Sequence, residues 1–168
     1  MKKLFAIVLL AIVVGNASGQ VQIQKVEASF IANFVRYIKW PQQESMKTFT
    51  IGVLGKNQAI YKELNSRVSG KNVGLAKIAV VEVNEADDLK KCQIVFIPNG
   101  RSSKAKKIIS GLENLSIMLI TEEQDFTPNF SVINFKVKDS KLTFQLNSEI
   151  AKQKKIQVSA KLAQMASK

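Results

Sequence analysis

Four short apolar runs set the limits on this fold: FTIGVLG (Phe49–Gly55), AKIAVVEV (Ala76–Val83), QIVFI (Gln93–Ile97) and LSIMLI (Leu115–Ile120). Successive side chains of a strand point to opposite faces, so a strand with one wet face alternates apolar and polar residues. These runs are nearly continuous in apolar residues. They therefore predict strands covered on both faces, as in a largely parallel sheet with helices on either side. The segments between them agree. Gln58 to Val68 puts Ile60, Leu64 and Val68 on one helix face, and Ser102 or Ser103 can cap a helix running to about Leu112. Both connections are long enough for a crossover, whereas the link from Val83 to Gln93 is short for one, which leaves that pairing open.

Ahead of the first run lies FIANFVRYIKWP, Phe30 to Pro41. Phe30, Phe34 and Ile38 recur at steps of four, with Ile23 and Val26 extending the row and Ile31 and Val35 widening it. This predicts a helix packed on the sheet and ended by Pro41, which lacks an N–H and restricts Trp40. Tyr37 and Trp40 at its end can either pack the core or stack on a ligand. Beyond the fourth run the pattern changes. Ser131 to Val137 and Lys141 to Leu146 alternate, and Asp139-Ser140 between them reads as a tight hairpin turn. Asn147 or Ser148 can cap a short helix, Ile156 and Val158 suit a small strand, and Ser159 opens a last helix. The expected fold class is thus α/β: a single three-layer domain with a largely parallel sheet and an antiparallel C-terminal hairpin.

The first residues have a different character. Met1-Lys2-Lys3, the apolar run Leu4 to Val14 and Ala17-Ser18-Gly19 form a secretory leader, with the cut expected before Gln20. With no cysteine near the cut, a lipid anchor is not expected. The formal charge of +12, from 25 basic and 13 acidic side chains, suits an anionic partner. Export argues against nucleic acid, while anionic lipid or a wall polymer stays open. Most of the lysines are dispersed, as on an ordinary solvated surface. Cys92 is the only cysteine, so no intramolecular disulfide forms, and its place at the head of a buried strand predicts an inert thiol. The chain has no histidine, which removes the commonest metal ligand and the commonest general base. Neither a metal nor any other cofactor is expected.

Two stretches sit where strands hand over to helices, the edge at which open α/β sheets bind ligands. One is GVLGKN, with Lys56 and Asn57; the other is Asn99-Gly100-Arg101-Ser102-Ser103. Helix-start N–H groups favour anions, and Arg101 is suited to a carboxylate or phosphate. Lys56, Asn57, Asn99, Arg101 and Ser102 are accordingly the candidate ligand residues, with an ordinary tight turn as the competing reading of GVLGKN. Glu122, Glu123 and Asp125 can be read as acid–base carboxylates or as a solvated turn. No serine lies in GxSxG and no histidine could activate one, so catalysis is not expected.

Several of these pieces together resemble the YfiR family of exported regulators. They are KVEASFIANFVRYIKWP, IGVLG, CQIVFIP and the C-terminal stretch VINFKVKDSKLTFQLNSEIAKQKKIQVSAKLAQMA. The family pattern is carried by Phe34, Tyr37, Trp40 and Pro41, by Ile133-Asn134-Phe135, by Phe144 and Asn147, and by Ser159 and Leu162. Two departures stand out: Phe130-Ser131-Val132 replaces a glycine pair, and the bridging cysteines of better-known members are missing, so disulfide-based redox control is not expected. The resemblance implies a leader over 1–19 and a YfiR-like periplasmic domain over 20–168. It also implies a non-enzymatic regulatory module that restrains a membrane-anchored signalling protein, of the diguanylate cyclase or histidine kinase type, and thereby cyclic-di-GMP output. A periplasmic small-ligand sensor or binding protein is the alternative. A homodimer and a small polar ligand are compatible with either. The partner surface is expected on Asn147 to Met165, where Ile156, Val158, Leu162 and Met165 stand among lysines; the competing reading is that these four close the core.

Overall fold

The structure, a computed structural model, describes residues 23–123, 131–138 and 141–166. The expected leader, the cut before Gln20, Asp125 and the Asp139-Ser140 turn lie outside them. Helix α1 covers residues 23–34, and β1 (Ile38–Lys39) follows after a turn. Next come β2 (Thr48–Leu54), α2 (Ala59–Val68), β3 (Asn72–Val73) and β4 (Ala76–Val83). A single-turn helix α3 (Ala86–Leu89) leads to β5 (Ile94–Ile97), α4 (Ser102–Ile109) and β6 (Met118–Glu122). The chain continues with β7 (Ile133–Lys138), β8 (Lys141–Leu146), α5 (Ser148–Gln153), β9 (Gln157–Val158) and α6 (Ala160–Met165).

Seven strands form one sheet in the order β3-β4-β2-β5-β6-β7-β8. The five central strands, β4 through β7, run parallel, while β3 and β8 pair antiparallel at the two edges. The expected three-layer α/β fold with an antiparallel C-terminal hairpin is what the chain adopts. The short link after β4 crosses over β2, so β5 pairs with β2 and not with β4. Chain order reverses at β2, making the β2–β5 junction the topological switch point.

Alternation along the central strands divides the core in two. Phe49, Ile51, Val53, Phe96 and Ile120 face α1, α2, α5 and α6. Leu54, Val83, Val95, Ile97 and Leu119 face α3 and α4. Cys92 is buried in the second layer, and its Sγ donates to the Asp88 carbonyl at 3.4 Å. Gly52 fits beneath it: a Cβ on Gly52 would lie 2.9 Å from that sulfur.

The first helix departs from its sequence reading in two ways. It ends at residue 34, closed by the bonds Arg36 N–H to Asn33 O and Tyr37 N–H to Phe34 O. Ile38 and Lys39 are extended because they pair with Val158 and Gln157 of β9, a partner more than a hundred positions away. The buried face also turns: Glu27, Ala28, Ile31, Phe34 and Val35 are buried, while Val26 is exposed. Phe34 contacts Phe135 and Phe144, with ring centroids 6.0 and 5.1 Å away; full burial of such a ring contributes about 1.5–3 kcal/mol. Helix α4 likewise starts with Arg101 at its N-cap position and no side-chain cap, in place of the serine cap expected.

Candidate functional site

The residues that carry the family pattern are structural. Trp40 is buried edge-on against Phe49 at 4.8 Å, and its indole N–H donates to the Gln93 carbonyl. Gln93 ties this corner to the sheet, since its Oε1 accepts from the Thr50 N–H at 2.7 Å. Asn134 belongs to a fully buried polar cluster with Thr121 and Ser131. The Thr121 hydroxyl donates to Asn134 Oδ1 at 2.8 Å, and the Ser131 hydroxyl donates to the Ile133 carbonyl at 2.6 Å. Leaving a buried polar group unbonded is costly, so this cluster holds β6 in register against β7. Ser131 here stands in the stretch where the resemblance led one to expect glycine. Asn147 caps α5 by accepting from the Ile150 N–H, and Ser159 caps α6 by accepting from the Leu162 N–H. Tyr37 lies beneath the Lys161 ammonium, 5.4 Å from the ring centroid.

The loops after β4, β2, β5 and β6 meet at one edge of the sheet. Gly55, at φ 102°, lets Arg101 approach, for a Cβ there would be 3.5 Å from the guanidinium carbon. The Asn57 N–H donates to the Glu82 carboxylate, and the Asn99 N–H donates to Glu122 Oε2 at 2.9 Å. Lys56, Asn57, Asn99 and Arg101 are exposed here, and Ser102 begins α4 beside them. The structure thus gathers these sequence candidates, but two backbone donors of the edge already hold carboxylates.

Glu27 was missed in the sequence because a charged residue reads as the border of an apolar face. Its spacing, four before Ile31 and eight before Val35, was the available signal. Its side chain is buried, and neither carboxylate oxygen has a hydrogen-bond partner. Burial, and then the charges of Glu122 and Glu123, push it up to about 9, so it is protonated at neutral pH. Burial also raises Glu122, against the lowering effect of its bond from Asn99 and with Glu123 adding to the rise. Glu123 accepts from the Val137 N–H. Among the described residues, no group of three or more His, Cys, Asp or Glu could hold a metal ion.

In the C-terminal segment, Ile156 and Leu162 are buried in the first core layer, Val158 is half-buried and Met165 is 49% exposed. Lys152, Lys155 and Lys161 are exposed. Lys154 is not: its ammonium donates to the carbonyls of Glu113 and Leu115 at 3.3 and 3.4 Å. Desolvation lowers its pKa, opposed by the charge of Glu113. No helix among the described residues is long and apolar enough to cross a membrane.

A family model described as YfiR/HmsC-like matches residues 24–167. No curated protein matches the chain.

Proposed function

Because the chain belongs to the YfiR/HmsC-like family, we propose that it is a periplasmic regulatory binding module that restrains a membrane-bound signalling partner of the diguanylate cyclase or histidine kinase type. The family match over residues 24–167 carries this reading. The chemistry of the chain is in keeping with it: there is no histidine to serve as a general base, and the one cysteine is buried. Restraint of this kind means binding one state of the partner more tightly than another.

The partner surface we propose is the outer side of α6 and β9. Met165 supplies an exposed apolar anchor, with Lys152, Lys155 and Lys161 around it. Ile156 and Leu162, buried beneath, hold that surface in place and do not touch the partner.

Deleting the gene and measuring cyclic-di-GMP tests the reading. Loss of the protein raises the signal, and the exported chain restores it. Unchanged cyclic-di-GMP, together with unchanged activity of every membrane kinase in the host, would overturn the proposal.

A further inference from the structure

We propose that the groove between the end of α1, the end of α2 and the β3–β4 hairpin is a binding site for a small organic anion: an oxyanion head held by Arg67, Lys71, Arg36 and Lys39, and a short apolar body. The groove has a volume of about 670 Å³, within the roughly 300–1,000 Å³ of small-ligand sites. Its charged lining is wholly basic. Arg36 and Lys39 come from the segment after α1, Arg67 from the last turn of α2 and Lys71 from the turn into β3. These like charges around one concavity repel one another, and an anion relieves that repulsion.

Arg67 adds a separate argument. Its Nε is buried and has no hydrogen-bond partner. The Glu63 carboxylate is 4.0 Å away, too far to accept from it. The rest of the guanidinium is partly exposed, at 39% for the side chain, and its charge pairs loosely with Glu63. The unmade Nε–H bond is therefore what an incoming carboxylate or phosphate oxygen would supply, and such an oxygen fits the guanidinium fork. Val35, Val68 and Ile78 also line the groove and are themselves buried, giving the ligand an apolar wall. A head with an organic body uses both features; bare phosphate uses one.

The comparison with the switch-point edge favours the groove. At that edge the N–H groups of Asn57 and Asn99 already donate to Glu82 and Glu122, so an incoming anion meets two carboxylates. No carboxylate lines the groove itself; Glu63, which pairs with Arg67 at 4.0 Å, stands outside the lining. The proposal does not depend on the signalling role above.

Titration of the ¹⁵N-labelled mature chain with phenyl phosphate and with benzoate, in about 150 mM salt to screen diffuse charge, tests it. Saturable shifts at the amides of Asn72, Val73 and the end of α2 are expected from at least one probe, and the tighter probe identifies the head. Inorganic phosphate binds about tenfold more weakly or worse. Arg67→Gln and Lys71→Gln each weaken binding by about tenfold or more, while Arg101→Gln leaves it unchanged. Absence of saturable shifts with both probes overturns the site, as do shifts centred on Asn99 and Arg101. Equal affinity for inorganic phosphate overturns the apolar body. If a glutamine variant loses its fold, Arg67→Lys, which keeps the charge but not the fork, together with the wild-type shift map decides the question.

Discussion

The two core layers differ in kind. The layer beneath α1, α2, α5 and α6 holds Phe30, Phe34, Phe49, Phe96, Phe135, Phe144 and Trp40, as well as the buried carboxyl of Glu27. The layer beneath α3 and α4 has no aromatic residue among its described members; it is built from Leu, Ile, Val and Ala around Cys92. Aromatic rings pack in a few geometries, so the first layer admits few arrangements. Aliphatic side chains repack readily when volume is kept. Apart from Asn134, whose polar cluster lies on the other face of the sheet, the family pattern falls mainly on the first layer and on its caps at Asn147 and Ser159. That layer specifies which fold forms, and the second one fills it.

The sharpest way to break this comparison is at α6. Leu162→Asp puts a charge into the first layer and costs roughly 4 kcal/mol or more, enough to unfold many domains. Met165→Asp, one turn away and exposed, changes stability by less than about 0.5 kcal/mol and, on the proposed role, removes partner binding. Urea denaturation of both variants checks this. Equal loss of stability would mean that Met165 is no surface residue.

Truncations compare the layers directly. Phe135→Ala, touching the rings of Phe30, Phe34 and Phe96, costs about 3–5 kcal/mol. Leu89→Ala in the second layer falls at the low end for leucine, about 2 kcal/mol, because the four-residue α3 can settle into the space. Equal costs would remove the contrast.

The first layer should also be pH-sensitive through Glu27. Its folded pKa is about 9, raised from 4.5, so the native state holds a proton that the unfolded chain releases. Stability is greatest below about pH 4.5 as far as this group is concerned, and it falls as pH rises towards 9, by up to about 1.4 kcal/mol per unit. Glu27→Gln, which cannot ionise, flattens the slope. Urea midpoints of the two proteins between pH 5 and 9 give the difference directly, because other groups cancel. Parallel slopes would show that Glu27 is ionised in the folded protein.

The second layer can also be tested where it is tightest, at Gly52 and Cys92. Gly52→Ala places a methyl 2.9 Å from Cys92 Sγ and costs about 1–3 kcal/mol. Cys92→Ala in the same chain recovers part of that, since the two substitutions share one space. Cys92 itself, with burial pushing its thiol up to about 12, labels far more slowly in the native protein than in urea. A native rate that matches the unfolded one would mean that this layer opens freely.

What the sequence by itself determined was the set of elements and the fold class. Strands β2, β5 and β6 were legible because a strand buried on both faces writes its environment into nearly every residue. Strand β4 was legible as an apolar run although one of its faces, with Lys77, Ala79 and Val81, is only partly covered, and the caps at Asn147 and Ser159 because capping is local chemistry. The gathering of Lys56, Asn57, Asn99 and Arg101 followed from a parallel sheet alone. Tertiary structure decided the rest, each time through residues far apart in the chain. It ended α1 early by pairing Ile38 with Val158, and it turned Glu27 inward by rotating the helix onto Phe135 and Phe144. It buried Lys154 beneath the carbonyls of Glu113 and Leu115, and it brought Arg36 and Arg67 to one groove. Local spacing reports which face of an element is apolar; what stands opposite that face depends on long-range packing, which no window of neighbouring residues contains.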